Sequence, residues 1–234
     1  MIRETLISLN EVHAGYGRAP ILQDVTTKIS RGDRVAVLGR NGAGKSTLLK
    51  TIMGRTRLLS GQITMREVDI SRMAIQRRVG LGIGLVPQTL ELFSNLTVSE
   101  NLRAIRSPGA IVEDAYNMFP RLGERATSLV EGLTREEQHM VAIARAMMMR
   151  PELLLLDEPL EGIAPWVCDI IMGVIAELAD DGRTTVVMVA QHVDIALSFA
   201  SHALLIDNGR IVFDGTAEAL ADRQDLLARY VDGL

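Results

Sequence analysis

Cysteine is nearly missing from this chain. Cys168 stands alone, so no internal disulfide and no cysteine-based zinc site can form. It reads as a small packed side chain, not a reactive thiol, and the composition fits a reducing compartment. Long apolar runs are also missing. The strongest, Leu153 to Leu156 and Val186 to Ala190, are strand-length and far short of a bilayer span. Met1 to Val12 is interrupted by Arg3, Glu4 and Asn10, and lacks the apolar centre of a signal peptide. Any work at a membrane is therefore expected to need docking through another chain. An excess of basic charge is missing as well: 25 Lys+Arg stand against 29 Asp+Glu, a net −4 that speaks against bulk nucleic-acid binding. There is no tandem repeat and no low-complexity linker. What is present is 47% apolar and 23% charged residues over 234 positions, enough for a sizeable core in one or two domains.

Short apolar runs alternate with longer helical patterns, which favours an α/β architecture. Strands are expected at Arg34–Leu38, Gly84–Val86, Leu153–Leu156 and Thr185–Val189. The last two are almost uniformly apolar, as expected when helices cover both faces of a sheet. Ser46–Met53 reads as a helix closed by Gly54. From Thr97 to Arg150 the periodicity is helical, with a capping box at Thr97 and Glu100. Met140, Ile143, Ala144, Met147 and Met148 form one face there, read as plain core packing. A helical insert is thus expected inside an α/β core. Asn208-Gly209 marks a hairpin between Ala203–Ile206 and Arg210–Phe213. A single helix from Ala217 to Tyr230 closes the chain.

The strongest motif is Gly39-Arg40-Asn41-Gly42-Ala43-Gly44-Lys45-Ser46-Thr47, a complete G-x-x-x-x-G-K-S match between a strand and a helix. The glycines let several backbone N–H groups face one anion, and the helix start adds its positive dipole end. Lys45 is expected to reach the β- and γ-phosphates, and the Ser46 hydroxyl to ligate Mg²⁺. Leu153–Leu156 runs directly into Asp157-Glu158-Pro159, placing two carboxylates at the C-terminal edge of a strand, where open α/β sheets bind ligands. Asp157 would hold Mg²⁺, and Glu158 is placed to orient or deprotonate an attacking water.

These residues resemble the nucleotide-binding subunit of an ABC transporter over essentially the whole chain. The resemblance implies a P-loop NTPase of ABC type: an α/β core with a mixed sheet (roughly 1–87 and 151–234) and a helical subdomain at roughly 88–150, in a single domain spanning 1–234. It also implies ATP and Mg²⁺. Tyr16 matches the aromatic that stacks on adenine, or is simply an exposed turn residue. Gln88 resembles the glutamine that approaches Mg²⁺ and signals to the membrane subunits. Leu90, Leu92 and Phe93 after it either line a docking groove or are buried. More narrowly, Val12-His13-Ala14-Gly15-Tyr16-Gly17, Leu96 to Leu102 and Glu161-Gly162-Ile163-Ala164-Pro165 are similar to the ATPases of branched-chain amino acid and urea or amide importers, and to the shorter of their two ATPases. The resemblance implies a peripheral subunit on the cytoplasmic face of the plasma membrane, pairing with a second ATPase and with membrane permeases, and no nucleic acid.

Two departures stand out. The family signature Leu-Ser-Gly-Gly-Gln/Glu is matched by Leu133-Thr134-Arg135-Glu136-Glu137. Both glycines are gone, and Glu136 brings negative charge toward a site for triphosphate, although Thr134 and Glu137 still form a capping box. The position of the switch histidine is held by Gln191, which can donate a hydrogen bond but cannot gain a proton. His192 takes that place only if the register shifts. The expectation is an asymmetric heterodimer in which one composite site hydrolyses ATP. The alternatives are a regulatory or weakly hydrolytic nucleotide-binding module, or the ATPase of another ABC system.

Overall fold

The computed structural model describes residues 4–105, 109–180 and 182–231. Met1, Ile2 and Arg3, part of the amino-terminal reading above, lie outside them. In chain order the strands are β1 (Thr5–Gly15), β2 (Leu22–Ser30), β3 (Arg34–Leu38), β4 (Arg57–Met65), β5 (Val68–Asp69), β6 (Ile83–Val86), β7 (Leu153–Asp157), β8 (Thr185–Val189), β9 (His202–Asp207) and β10 (Arg210–Thr216). The helices are α1 (Lys45–Met53), α2 (Ile75–Gly80), α3 (Val98–Arg103), α4 (Val112–Met118), α5 (Pro120–Glu124), α6 (Arg135–Met148), α7 (Pro165–Asp180), α8 (Val193–Phe199), α9 (Ala217–Ala221) and α10 (Gln224–Tyr230).

A six-stranded sheet in the order β10-β9-β3-β8-β7-β6 forms the centre. Its strands are parallel except β10, which returns antiparallel beside β9 through the Asn208-Gly209 turn. Alternating side chains split between two cores. Val35, Val37, Leu153, Leu155, Val187 and Val189 face the one containing α1 and β1. Ala36, Leu38, Leu154, Leu156, Val186 and Met188 face the one containing α6, α7 and α8. Burial on both faces is why β7 and β8 carry no polar alternation. The methionine-bearing face of α6 is buried in the second core, as its periodicity implies.

Two elements differ from the sequence expectation. The first is a four-stranded antiparallel sheet, β2-β1-β4-β5, for which no strand was assigned. Register irregularities in β1 at Thr5/Ile7, Leu9/Val12 and Val12/Ala14 break the period-two pattern that would have revealed it. The second is the carboxyl-terminal helix, which is two helices. Arg223 leaves the helical region (φ −96°, ψ 63°) and grips Asp225 through two nitrogens, at 2.7 and 2.8 Å. α9 buries Ala217 and Leu220, and α10 buries Leu227, each on its own axis.

Candidate functional site

β3 runs buried into Gly39, whose φ of +145° and close packing both require glycine: a Cβ there would stand 2.2 Å from the Ile206 carbonyl oxygen. The loop then exposes Arg40, Asn41 and Gly42 and buries Ala43, Gly44, Lys45 and Thr47. Beyond its chain neighbours, no heavy atom of the described residues lies within 4 Å of where a Gly42 Cβ would be; its φ of +78° calls for glycine on backbone grounds alone. The Lys45 ammonium folds back along the loop and donates to the carbonyls of Gly39 (2.7 Å) and Arg40 (3.0 Å). A turn, itself held by β2, braces the loop from behind. Gly209 N–H donates to Ala43 O, and Gln23 N–H donates to Gly209 O, both at 2.8 Å. Gly209 in turn packs so closely on Ile21 that a Cβ would meet its carbonyl oxygen at 1.7 Å.

At the end of β7, Asp157 is buried, and its Oδ1 accepts the Ser46 hydroxyl at 2.7 Å. Burial pushes its carboxyl above the usual carboxylate range, against the Ser46 hydrogen bond and the charges of Lys50 and Lys45. Its Oδ2 is buried without a hydrogen-bond partner among the described residues. A hydroxyl and an underused carboxylate oxygen, on adjacent elements, are the hard-oxygen donors that Mg²⁺ prefers, so the residues fit that ion. Glu158 follows in a left-handed conformation (φ +52°), fixed by its N–H donating to Val189 O. Its carboxyl is also pushed up by burial, against a hydrogen bond from Gln191. Glu158 Oε2 accepts from Gln191 Nε2 at 2.7 Å and from Gln88 Nε2 at 3.1 Å. It is therefore Gln191 that faces this carboxylate; His192 is exposed at the start of α8. Gln88 also donates to Glu161 Oε2 at 2.8 Å. Glu161 was missed as a site residue, because nothing in Pro159-Leu160-Glu161-Gly162 signals from sequence that the chain folds back toward Gln88.

Tyr16 is 58% exposed directly after β1, in the loop that leads to Ile21 and so to the Gly209 brace. Beyond Gln88, Leu90 and Leu92 are half-buried against the core, and Phe93 is exposed with the Arg145 guanidinium 5.1 Å from its ring. Two of the three are thus packed against the core and one is exposed. Leu90 and Glu91 adopt φ of +60° and +49°, and the Glu91 carboxylate pairs with Arg55. Arg55, Pro87, Leu90, Ile105, Arg145 and Met149 line a shallow groove beside this segment.

At Leu133–Glu137, Thr134 caps α6 and the capping box forms with Glu137. Glu137 is buried between Arg121 and Arg125. Arg135 turns to the loop after β7, and a Cβ added at Gly162 would lie 3.0 Å from its Cζ and Nη1. Glu136 is held below its usual range by its own backbone N–H and by the Thr134 hydroxyl. Behind them His139 is buried, with Nδ1 2.8 Å from Arg135 O, and burial lowers its pKa.

Comparison with known proteins gives a family match over residues 22–161, described as ABC transporter. The chain is 35% identical to the high-affinity branched-chain amino acid transport ATP-binding protein BraG of Pseudomonas aeruginosa, over 97% of this chain and 100% of that one. It is 37% identical to the probable branched-chain amino acid transport ATP-binding protein LivF of Archaeoglobus fulgidus, over 92% and 93%. Among solved structures it superposes on an ATP-binding subunit of an ABC transporter with a TM-score of 0.83 (25% identity, 95% and 94% covered). It superposes on a nucleotide-free ATP-binding cassette with 0.82 (24% identity, 95% and 97% covered), a likeness of fold.

Proposed function

The chain belongs to the ABC transporter family and is an ATP-binding, ATP-hydrolysing subunit of it; from that premise we propose that it powers an importer for branched-chain amino acids or related small solutes such as urea and amides. Its relatives' names support the solute class. The observation that carries the catalytic reading is the junction of phosphate loop and carboxylates, where Ser46 bonds Asp157 and Glu158 is held by Gln191. In this reading the loop from Gly39 to Thr47 cradles the phosphates, Lys45 exchanges its loop carbonyls for β- and γ-phosphate oxygens, and Tyr16 stacks on the adenine. Ser46, Asp157 and Gln88 would hold Mg²⁺, which when bound offsets phosphate charge. Glu158 orients the attacking water and takes its proton, with the Gln191 amide fixing the carboxylate and reaching toward the γ-phosphate.

The chain works as one domain, its segment 88–150 moving as a helical subdomain against the rest. It is a peripheral subunit at the cytoplasmic face of the membrane, docked on permeases and paired with a second ATPase. No helix among the described residues is long and apolar enough to cross a bilayer. Arg135 and Glu136 favour a second reading, a regulatory module that binds ATP and turns it over slowly.

Two experiments separate these. Gentle solubilisation of the native membrane with the chain tagged should recover two polytopic permeases and a second ATPase; recovery with soluble partners only would sink the transporter reading. In the recovered complex, Glu158→Gln should keep nucleotide binding and abolish steady-state hydrolysis at this chain's site. Hydrolysis at the wild-type rate would remove Glu158 from the catalytic role.

A further inference from the structure

Glu161 has no role in the reading above, although this inference rests on that reading. The Gln88 amide carries two N–H donors and shares them between two carboxylates, Glu158 Oε2 at 3.1 Å and Glu161 Oε2 at 2.8 Å. The shorter bond goes to Glu161. The two carboxylates sit in one tight turn, Glu161 N–H donating to Glu158 O at 3.2 Å, and the turn continues into Gly162 under the Arg135 guanidinium. A third carboxylate beside Asp157 and Glu158 is electrostatically unfavourable and adds to the upward push on both. Gln88 is its hydrogen-bond partner, and among the described residues no Lys or Arg pairs with it. A carboxylate that takes the shorter of the two bonds from the Gln88 amide is placed for that amide.

We propose that Glu161 is a positioning residue: it anchors the Gln88 side chain, and so ties the turn after the catalytic carboxylate to the head of the segment running from Gln88 to Phe93. Glu158 also accepts from Gln88, but at the longer distance and on an oxygen that it shares with Gln191. With Glu161 present, Gln88 stays at the site when Glu158 turns toward water. Movement of the turn is passed to the Gln88–Phe93 segment through a single charge-assisted bond.

The test is a double-mutant cycle with a spectroscopic companion. Steady-state hydrolysis of Mg²⁺-ATP is measured on the membrane complex carrying Gln88→Ala, Glu161→Ala or both. Glu161→Ala should lower kcat about tenfold; Gln88→Ala should lower it at least as far, since it also removes the bond to Glu158, and the double variant should lose no more than Gln88→Ala alone, because the Glu161 contact is already gone. Glu161→Gln keeps an acceptor oxygen without the charge and should restore most of the rate. In the full chain without nucleotide, the Gln88 side-chain amide resonance should move to a solvent-exposed position in Glu161→Ala and stay shifted in Glu161→Gln. Additive losses in the double variant, an unchanged Gln88 resonance in Glu161→Ala, or Glu161→Gln behaving like Glu161→Ala would each overturn the proposal. A wild-type complex without ATPase activity would instead overturn the catalytic reading, and the resonance would still decide the anchor.

Discussion

Asp157 shows what the site costs before any nucleotide arrives. One oxygen is satisfied by Ser46, and the other is buried without a partner among the described residues. Its folded pKa lies above the ordinary value because burial disfavours the anion. Between those two values the native state holds more protons than the unfolded chain, so stability falls as pH rises through this window. At neutral pH the nucleotide-free protein carries the full cost of the buried charge. Asp157→Asn should therefore raise the thermal midpoint of the nucleotide-free chain by about 2–4 °C, the equivalent of about 1 kcal/mol for a chain of this size. Calorimetry without Mg²⁺ and nucleotide measures this, and an unchanged or lower midpoint would contradict it. Glu158 is different, since Gln191 and Gln88 already occupy its Oε2. The Gln191 amide does not titrate between pH 5 and 9, so its bond to Glu158 depends on the carboxylate alone.

The elements around the phosphate loop owe their placement to contacts that local pattern reveals unevenly. β3, α1, β7 and β8 were legible because burial on both faces and the glycine-lysine loop leave strong marks. The antiparallel sheet was not legible, because its bulges disturb the alternation and its partners are set by tertiary pairing. The two sheets meet through Asp214 of β10, which accepts Thr27 Oγ1 of β2 and faces His202 Nε2 of β9, both at 2.7 Å. Burial pushes the Asp214 carboxyl up, but the bonds from His202 and Thr27 outweigh it and hold the pKa below the usual range. Its contribution is present above the ordinary carboxylate pKa and is lost as pH falls through the depressed value. Asp214→Asn should cost about 1–2 kcal/mol at pH 7, a figure discounted for partial exposure, with the difference narrowing steadily below about pH 4. Urea titrations across that range read it directly; a difference independent of pH would mean that packing, not the charge, joins the sheets.

At the scale of the whole molecule, the sequence located the chemical groups better than their directions. The phosphate loop, Asp157 and Glu158 were read from motif and strand end, and Gln191 through the family resemblance, whereas the Glu161–Gln88 bond depends on a fold-back that no local pattern encodes. Arg135 and Glu136 were visible as departures, and the structure supplies their orientation: Arg135 lies against Gly162 of its own chain, and Glu136 stays at the start of α6 beside Thr134. The helix N-terminus is well formed by its capping box, so neither substitution unmakes the helix. In the pairing proposed above, they would change the surface offered to a second subunit: bulk and an ionised carboxylate where close backbone approach to phosphates is expected. In a heterodimer, the site built on this chain's Lys45 and Glu158 would depend on the partner's signature. The other site would depend on Leu133–Glu137 and turn over slowly. With this chain's own site silenced by Glu158→Gln, restoring glycine at both positions (Arg135→Gly with Glu136→Gly) should raise the residual ATPase rate of the complex severalfold, since a like charge facing triphosphate is removed. Glu136→Gln alone should recover part of that gain. An unchanged residual rate would mean that the altered signature does not limit turnover, and the asymmetry would then have to arise in the partner subunit.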